Sequence, residues 1–527
     1  MRRAGLAPVA IFLVAFLALV PWLGDRYAWP KDEARLGLVI KEMMATGEWW
    51  VPKVGDGVYS KKPPLYPWLV ALLSRRGLTE WTLRLPAALA AAATVAVTYL
   101  IGARLVAPAA GLVAAGLLAA SPLFFQWGRI GRMESLLALF ITLAFWSLAR
   151  WLDGGRRVDA LLFGIWVGLG VLTKGPAALL PVAAGALALL CLRGRWPGRA
   201  WDLALGLACG GGVLLLWVGI AAARAPDFGR YAAGLVPLIA QEMGRRAQHR
   251  LYGAGVVALG FLPWSLLLPG VLVLLVRFWR DARRPLLLPL VWAGVVLVVF
   301  TIIISPREVY LLPMFPALAL LVGWAWHTAP PRARWWLVAP LGVGLGVLAA
   351  AGVAVTLAPQ AIVVHGVPVP LPRWFGTAAA VAAGGLGGAA YFLLRRGRPA
   401  TATTVLASGT LALLLVGEVF LQTPVFNRVY PVRPTAERFH GALPPDAEVA
   451  FVDLKHVTAL VFYLPRRTVQ LPSLEAIRDL DPARRVYLLL PELEFAAVQG
   501  TMRLPVRRVD DVEMDGTVYV LAALRDG

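Results

Sequence analysis

Residues Trp29–Met43 read WPKDEARLGLVIKEM, and they begin about ten residues after the first long apolar run of the chain. Leu36 and Ile40 recur there at helical spacing, whereas Asp32 and Arg35 fall on the opposite, polar side. This pattern predicts an amphipathic helix that lies on a membrane surface. Such a helix is often only an anchor, so its charged residues indicate a site only if other parts of the chain supply partners.

The rest of the chain is unusually apolar. Of the 527 residues, 59% are hydrophobic and only 15% are charged, and the mean hydropathy is +0.70. Such values exceed those of soluble domains, and 21 tryptophans suit membrane interfaces, where one edge of the ring meets water. Cys191 and Cys209 both lie in apolar runs and offer neither a disulfide framework nor a metal site. The composition predicts a polytopic α-helical membrane protein.

Apolar runs long enough to cross a bilayer give a predicted topology. Thirteen runs are centred near residues 15, 95, 116, 141, 165, 184, 212, 265, 294, 318, 346, 384 and 411. Met1–Gly24 resembles a signal peptide but lacks a clear cleavage site, and we interpret it as a retained first span. Arginines collect in every second connection, which predicts a cytoplasmic N-terminus and, with an odd number of spans, a C-terminus outside.

The net charge of +21 belongs to the membrane part of the chain. Pro424–Gly527 contains 13 basic and 14 acidic residues, whereas the remainder contains 38 basic and 16 acidic residues. The excess of positive charge therefore reports topology, and it does not indicate nucleic-acid binding.

Two domains are predicted. Residues 1–422 form the transmembrane domain, with amphipathic helices in the first extracytoplasmic loop, residues 25–83. In residues 423–527 the stretches AEVAFVDL, TALVFYL, RRVYLLLP and GTVYVLAAL are typical of short strands separated by polar turns. These residues predict a small extracytoplasmic α/β domain.

Charged side chains recur on the outer face, opposite the arginine-rich connections. Lys61 and Lys62 precede a double proline in YSKKPPLYPWL, where snorkelling lysines are the simpler alternative. GRIGRMESLL places Glu134 at a helix start, where a carboxylate also favours the helix dipole. LTKGP contains Lys174, and SPREVYLLPMFP contains Tyr310.

Together these residues predict chemistry at a lipid headgroup. Cations can hold a departing phosphate, and a carboxylate can activate an acceptor or stabilise an oxocarbenium-like centre. The chain contains no P-loop and no dinucleotide-binding glycine motif within a βαβ pattern. Glu418 lies near the outer end of the last span, where we expect it to snorkel toward water.

The order of motifs resembles that of the C-type (GT-C) integral-membrane glycosyltransferases. DEAR, KKPPLYPWL, RLPAAL, GRMESLL, LTKGP, PWS and YLLPMFPALAL follow one another as in the branch that includes the lipid A aminoarabinose transferase, with protein O-mannosyltransferases more distant. The resemblance implies about thirteen spans with a periplasmic C-terminal domain. It also implies transfer from a polyprenyl-phosphate sugar.

The resemblance assigns carboxylates to catalysis and cations, with one tyrosine, to the donor phosphate. The implied catalytic set is Asp32, Glu33 and Glu134, and the implied phosphate-binding set is Lys62, Tyr310, Arg35 and either Arg245 or Arg246 of the GRR motif. Glu134 stands where the family usually has an aspartate. Lys61 replaces an acid that the family links to a metal site, so the sequence indicates no certain cofactor and argues against a divalent metal.

The sequence therefore predicts an inverting glycosyltransferase of the bacterial inner membrane. Its donor would be undecaprenyl-phosphate sugar, and its acceptor a lipid A-like or other cell-envelope molecule on the periplasmic face. A transporter or lipid flippase is the alternative, because many spans and intramembrane charges also fit that class. Neither the sugar nor the acceptor is identified by these residues.

Overall fold

The computed structural model describes most of the chain. The described residues are 2–29, 32–54, 57–59, 62–192, 199–234, 252–303, 307–330, 333–357, 361–364, 367–370, 373–452, 454–465, 468–471, 473–481, 484–500, 504–514 and 516–524.

Helices dominate the first four fifths of the chain. The α-helices there are α1 Arg2–Leu19, α2 Glu33–Thr46, α3 Leu65–Leu73, α4 Glu80–Leu105, α5 Pro108–Ala119, α6 Pro122–Gly128, α7 Glu134–Gly154, α8 Arg157–Lys174, α9 Leu180–Leu192, α10 Ala200–Arg224, α11 Tyr252–Gly260, α12 Leu268–Arg277, α13 Trp279–Val298, α14 Phe315–Thr328, α15 Trp335–Leu357, α16 Arg373–Arg395 and α17 Pro399–Gly417. Short 3₁₀ segments at Pro176–Leu179, Trp264–Leu267 and Glu308–Met314, and π segments at Val299–Ile303 and Glu418–Gln422, extend or join them.

The helices confirm a multi-pass membrane protein, but not the count of thirteen spans. In the described part of the chain seven helices are long and apolar enough to cross a membrane, or up to nine if each bent pair forms one span. The two pairs, residues 108–128 and 252–277, bend by 68° and 107°. Three further apolar helices, over residues 5–19, 176–192 and 285–301, are shorter. Every predicted span centre nevertheless falls on a helical segment.

Small residues allow two of these helices to pack at very short distance. Gly164 and Gly168 on α8 face Gly206 and Gly210 on α10, with each pair four residues apart. A Cβ atom added to Gly164 would lie 1.7 Å from the carbonyl oxygen of Gly206. Side chains larger than hydrogen at these positions would separate the helices, which in lipid associate largely through such close packing.

The first long loop contains α2, a two-stranded hairpin of β1 Lys53–Val54 and β2 Gly57–Val58, and α3. The predicted amphipathic helix is present, but its apolar face does not lie on lipid. Leu36 and Ile40 pack against α3 and α4, whereas Ala34 packs against the C-terminal domain. The alternative of a simple surface anchor is therefore not favoured, because protein covers this helix on both sides.

The C-terminal part forms a mixed five-stranded sheet after the last apolar helix. A second hairpin precedes it in the chain, β3 Ala361–Val364 with β4 Val367–Pro370, and the sheet strands are β5 Glu448–Phe451, β6 Thr468–Gln470, β7 Val486–Pro491, β8 Val506–Met514 and β9 Thr517–Leu524. The helices of this part are α18 Thr423–Val429, α19 Val432–Ala442, α20 Leu454–Tyr463 and α21 Glu492–Gly500, with a 3₁₀ turn at Glu475–Asp479. The strand order is β6-β5-β7-β9-β8; β5 runs parallel to β6 and β7, and β9 runs antiparallel to β7 and β8.

The sheet confirms a small strand-containing domain and corrects part of its predicted content. AEVAFVDL, RRVYLLLP and GTVYVLAAL contribute β5, β7 and β9. The prediction of a strand in TALVFYL was wrong, because that stretch lies in α20 up to Tyr463, and residues 457–462 are all buried without the alternation of a half-buried strand. The charged strand β8 was not predicted. The boundary at residue 422 remains a prediction, since the helical stretch Thr401–Ala442 runs across it.

Candidate active site

Four charged side chains from three separate parts of the chain form one network. The Arg132 guanidinium donates from Nη1 to Asp32 Oδ2 at 2.7 Å and from Nη2 to Glu134 Oε1 at 2.7 Å. Arg132 Nε donates to Glu134 Oε2 at 3.2 Å, and Lys174 Nζ donates to Glu134 Oε1 at 3.0 Å. We call Asp32, Arg132, Glu134 and Lys174 the charged network.

The ends of three helices bring these residues together. Asp32 immediately precedes α2, Glu134 is the first residue of α7, and Lys174 is the last residue of α8. A carboxylate at a helix N-terminus and an ammonium at a C-terminus both complement the helix dipole. The helix dipoles and the ion pair therefore favour the same placement of Glu134 and Lys174.

The two carboxylates of the charged network differ in how deeply they are buried. The Glu134 side chain is 2% exposed and is held by both cations, whereas the Asp32 side chain is 40% exposed. Burial alone would lower the pKa of Arg132, but Glu134 and Asp32 raise it above its ordinary value, so the guanidinium stays charged. Asp32 is thus the carboxylate that a substrate can reach, and Glu134 holds the two cations in place.

Lys62 and Tyr310 lie beside this network. Lys62 is half-buried directly before Pro63 and lies within electrostatic range of both Glu134 and Lys174. Lys174 Nζ stands 4.5 Å from the centroid of the Tyr310 ring, and the Tyr231 hydroxyl donates to the Lys62 carbonyl oxygen at 3.1 Å. Three cations and two carboxylates leave one net positive charge here, which favours an anionic ligand.

Glu33 occupies a different environment from Asp32, although the two are adjacent in sequence. Its carboxylate is fully buried, and Oε1 and Oε2 accept from Arg84 Nε at 2.7 Å and Nη2 at 2.9 Å. It also accepts from the backbone N–H groups of Trp29, at 2.8 Å, and Gly131. The structure does not support the catalytic assignment of Glu33, because its carboxylate faces the protein interior and is fully hydrogen-bonded.

The Glu33–Arg84 pair is strongly coupled. Burial alone would raise the pKa of Glu33, but the charge and hydrogen bonds of Arg84, with smaller contributions from Arg26 and Trp29, lower it to about 2. Arg84 also donates to the carbonyl oxygens of Leu23 at 2.8 Å and Arg26 at 2.7 Å. This pair therefore fixes the backbone that leads to Asp32.

Gly131 links that pair to the charged network. A Cβ atom at this position would lie 2.9 Å from Glu33 Oε1 and 2.7 Å from Leu83 Cγ, so only glycine lets the backbone approach the carboxylate. Because Gly131 precedes Arg132, its hydrogen bond to Glu33 also orients the arginine that contacts Asp32.

Of the remaining predicted residues, Arg35 lies near the charged network, and the others lie outside the described residues. Arg35 is half-buried on α2, within electrostatic range of the Tyr59 hydroxyl. Burial is the main reason that the pKa of Tyr59 rises to about 12, and Arg35 opposes that rise. Arg245, Arg246 and Lys61 lie outside the described residues.

A second buried charge cluster was not predicted. Glu418 is 4% exposed, with Oε1 at 3.5 Å from Arg26 Nη1 and at 4.0 Å from Arg129 Nε. The expectation that Glu418 snorkels was wrong, because two buried arginines hold its carboxylate inside the protein. Arg26 and Arg129, on the face predicted to be poor in arginine, were the available signal. Glu418 lies 392 and 289 positions further along the chain, so the pairing left no local pattern.

The donor set does not fit a divalent metal. Among the described residues no three His, Cys, Asp or Glu side chains come together as a ligand group. Asp32 and Glu134 are each bonded to a cation, which competes with metal binding. No step of the reaction proposed below therefore uses a metal.

The chain is similar to several known glycosyltransferases. Residues 61–217 match the family model for dolichyl-phosphate-mannose-protein mannosyltransferase. The undecaprenyl phosphate-alpha-4-amino-4-deoxy-L-arabinose arabinosyl transferase 2 of Sodalis glossinidius is 30% identical over 366 residues, or 67% of this chain and 65% of the relative. The corresponding transferase of Pseudomonas aeruginosa is 30% identical over 329 residues, or 60% of this chain and 59% of the relative. The chain thus spans less than two thirds of the length of these relatives.

A solved structure shares the architecture of the whole chain. ArnT from Cupriavidus metallidurans, determined with bound undecaprenyl phosphate, aligns over 98% of both chains with a TM-score of 0.78 and 22% sequence identity. This agreement establishes a shared fold.

Fold and site together define a multi-pass membrane protein of the GT-C type. The chain is similar in sequence to the aminoarabinose transferases and shares the fold of one of them, so the resemblance implied by its motifs is confirmed.

Proposed function

We propose that this chain is an inverting glycosyltransferase that moves a sugar from undecaprenyl phosphate to a lipid A-like or other cell-envelope acceptor. The observation that carries the proposal is the excess of cations around an accessible carboxylate, with Asp32 40% exposed beside Arg132. The names of the relatives support the donor class, since they are arabinosyl transferases that use undecaprenyl phosphate-linked aminoarabinose.

On the donor side, the cations bind the phosphate. Lys62, Lys174 and the Tyr310 hydroxyl would contact its oxygens, and one arginine of the GRR motif would add a further contact. The charge on a leaving phosphate grows as the glycosidic bond breaks, so fixed cations stabilise the transition state more than the bound donor. Glu134 supports this by holding Arg132 and Lys174 at 2.7 and 3.0 Å.

On the acceptor side, Asp32 faces the reacting carbon. An acceptor oxygen forms a bond to the anomeric carbon from the face opposite the phosphate. The bond from that carbon to the phosphate oxygen breaks, and its electron pair leaves with undecaprenyl phosphate. A hydroxyl acceptor would pass its proton to Asp32, whereas a phosphate acceptor is already ionised and requires no base.

We place the reaction on the periplasmic face of the bacterial inner membrane. The arginine-rich connections support a cytoplasmic N-terminus, and the charged network then lies on the opposite face together with the C-terminal domain.

A transfer assay tests the proposal. The purified chain in lipid nanodiscs would be incubated with undecaprenyl phosphate-4-amino-4-deoxy-L-arabinose together with one acceptor at a time. The acceptors would be lipid A, a glycan and a peptide. We expect mass spectrometry to show undecaprenyl phosphate released in step with a mass gain on one acceptor. Movement of the intact donor between leaflets without cleavage would instead favour the flippase alternative.

A further inference from the structure

A cavity of ≈ 280 Å³ opens beside the charged network, and nothing above assigns it a ligand. Asp32 and Arg132 form the wall that it shares with the network. Trp29 and Trp127 supply aromatic walls, and Arg307 and Glu308 supply charged ones.

Some polar groups in the lining of this cavity are already engaged, and others are not. Asp32 and Arg132 bond to each other at 2.7 Å. Within the described part of the chain Glu308 makes no ion pair, and it lies in electrostatic range of Arg132. Trp127 is 9% exposed, and its Nε1–H is buried without an acceptor in the same part of the chain. A buried donor without a partner points to a polar ligand, and the exposed Glu308 carboxylate is accessible to one.

We propose that this cavity binds the sugar ring of the donor, with Glu308 accepting hydrogen bonds from the ring substituents and Trp127 Nε1 donating to a ring oxygen. The inference rests on the proposed function and adds to it a specificity-determining residue. Glu308 would decide which sugars are used, through the hydroxyl or amine groups that reach it.

The size and composition of the cavity favour one monosaccharide. Its ≈ 280 Å³ lies just below the range of about 300–1,000 Å³ typical of pockets for drug-sized molecules, which is enough room for a single ring. Aromatic walls with a few fixed polar groups suit a ring that has apolar C–H faces and polar edges. Because Asp32 lies on the shared wall, a ring in the cavity would place its anomeric carbon between Asp32 and the phosphate-binding cations.

The test separates binding of the sugar from binding of the lipid phosphate. Affinities would be measured by native mass spectrometry for undecaprenyl phosphate alone and for the same lipid carrying 4-amino-4-deoxy-L-arabinose or mannose. The quantity of interest is the gain in affinity that the sugar confers. Wild type, Glu308→Ala and Glu308→Gln would be compared with Glu437→Ala, which removes an exposed glutamate on α19 far along the chain.

We expect Glu308→Ala to reduce that gain by about 10- to 100-fold, as for hydrogen bonds to a charged group, while the affinity for the bare lipid stays unchanged. Glu308→Gln would retain most of the gain for a sugar that presents a hydroxyl to this position and lose it for a sugar that presents an amine. The comparison therefore identifies the substituent that Glu308 contacts. An unchanged gain in Glu308→Ala would overturn the inference. Failure of wild type to bind undecaprenyl phosphate at all would instead overturn the proposed function.

Discussion

Two adjacent carboxylates on one short motif have opposite surroundings. Asp32 is 40% exposed and contacts Arg132, whereas Glu33 is fully buried against Arg84. Their order in DEAR gives no indication of this difference, because a helix start can direct either side chain inward. The burial of Glu33 depends on Arg84, 51 residues further along the chain.

The exposure of Asp32 leads to a prediction about Asp32→Asn. With a hydroxyl acceptor we expect the turnover rate to fall by about 10²–10⁴, because the general base is lost. With a phosphate acceptor we expect less than about a tenfold loss, since the nucleophile is already ionised. Initial rates with both acceptors would measure this.

Asp25→Asn is the matched control, because Asp25 is an exposed aspartate in the same loop. Turnover by Asp32→Asn equal to that of the control with every acceptor would contradict the role given to Asp32.

At the scale of elements, the buried Glu33–Arg84 pair joins α2 to α4, and Gly131 extends the connection to α7. Helix positions could largely be predicted from hydropathy, and the motifs identified Asp32, Lys62 and Tyr310 as candidate residues. The pairings could not be predicted, because Lys174 meets Glu134 and Arg26 meets Glu418 only after the helices pack. TALVFYL was misassigned because a short apolar run fits strand and helix equally well until its neighbours are known.

Glu33→Gln tests the element-level role. Removing one partner of a buried pair leaves the other charge uncompensated, so we expect the free energy of unfolding to fall by about 3–5 kcal/mol. Thermal unfolding of the purified protein in detergent would measure the loss. Glu513→Gln, at an exposed position on β8, should show none.

The Glu33–Arg84 pair also predicts how the stability of the protein changes with pH. The folded-state pKa of Glu33 is lowered to about 2 from an ordinary 4.5, so its stabilisation is complete above pH 4.5 and is lost as pH falls toward 2. The difference in melting temperature between wild type and Glu33→Gln should therefore be constant from about pH 5 to 8 and shrink below that range. A difference that grew on acidification would contradict the account.

At the scale of the whole molecule, the C-terminal domain holds the loop that carries Asp32. The Tyr463 hydroxyl accepts from the Ala28 N–H at 2.7 Å and donates to Glu80 Oε1 at 2.6 Å. The Asn427 side chain accepts from the Tyr27 N–H at 2.9 Å and donates to the Asp25 carbonyl oxygen at 2.9 Å. The domain thus contacts the backbone a few residues before the proposed catalytic aspartate.

We therefore expect Tyr463→Phe to lower kcat several-fold while the affinity for undecaprenyl phosphate stays unchanged. The substitution removes two hydrogen bonds and preserves the ring, so the domain should still fold. Tyr487→Phe is the control, because the Tyr487 hydroxyl makes no hydrogen bond to any residue that the structure describes. Equal kcat values for the two variants would show that the domain does not position this loop.

The central claim is that a lipid phosphate binds at Lys62 beside the charged network. The most direct measurement is native mass spectrometry of undecaprenyl phosphate bound to wild type, Lys62→Ala and Lys53→Ala. Lys53 lies in the same loop but pairs with Asp227 at 2.6 Å, so its loss should leave binding intact. We expect binding to weaken at least tenfold in Lys62→Ala alone, as for loss of a charge-assisted hydrogen bond. Equal binding by all three proteins, or no binding by a folded wild type, would contradict the account.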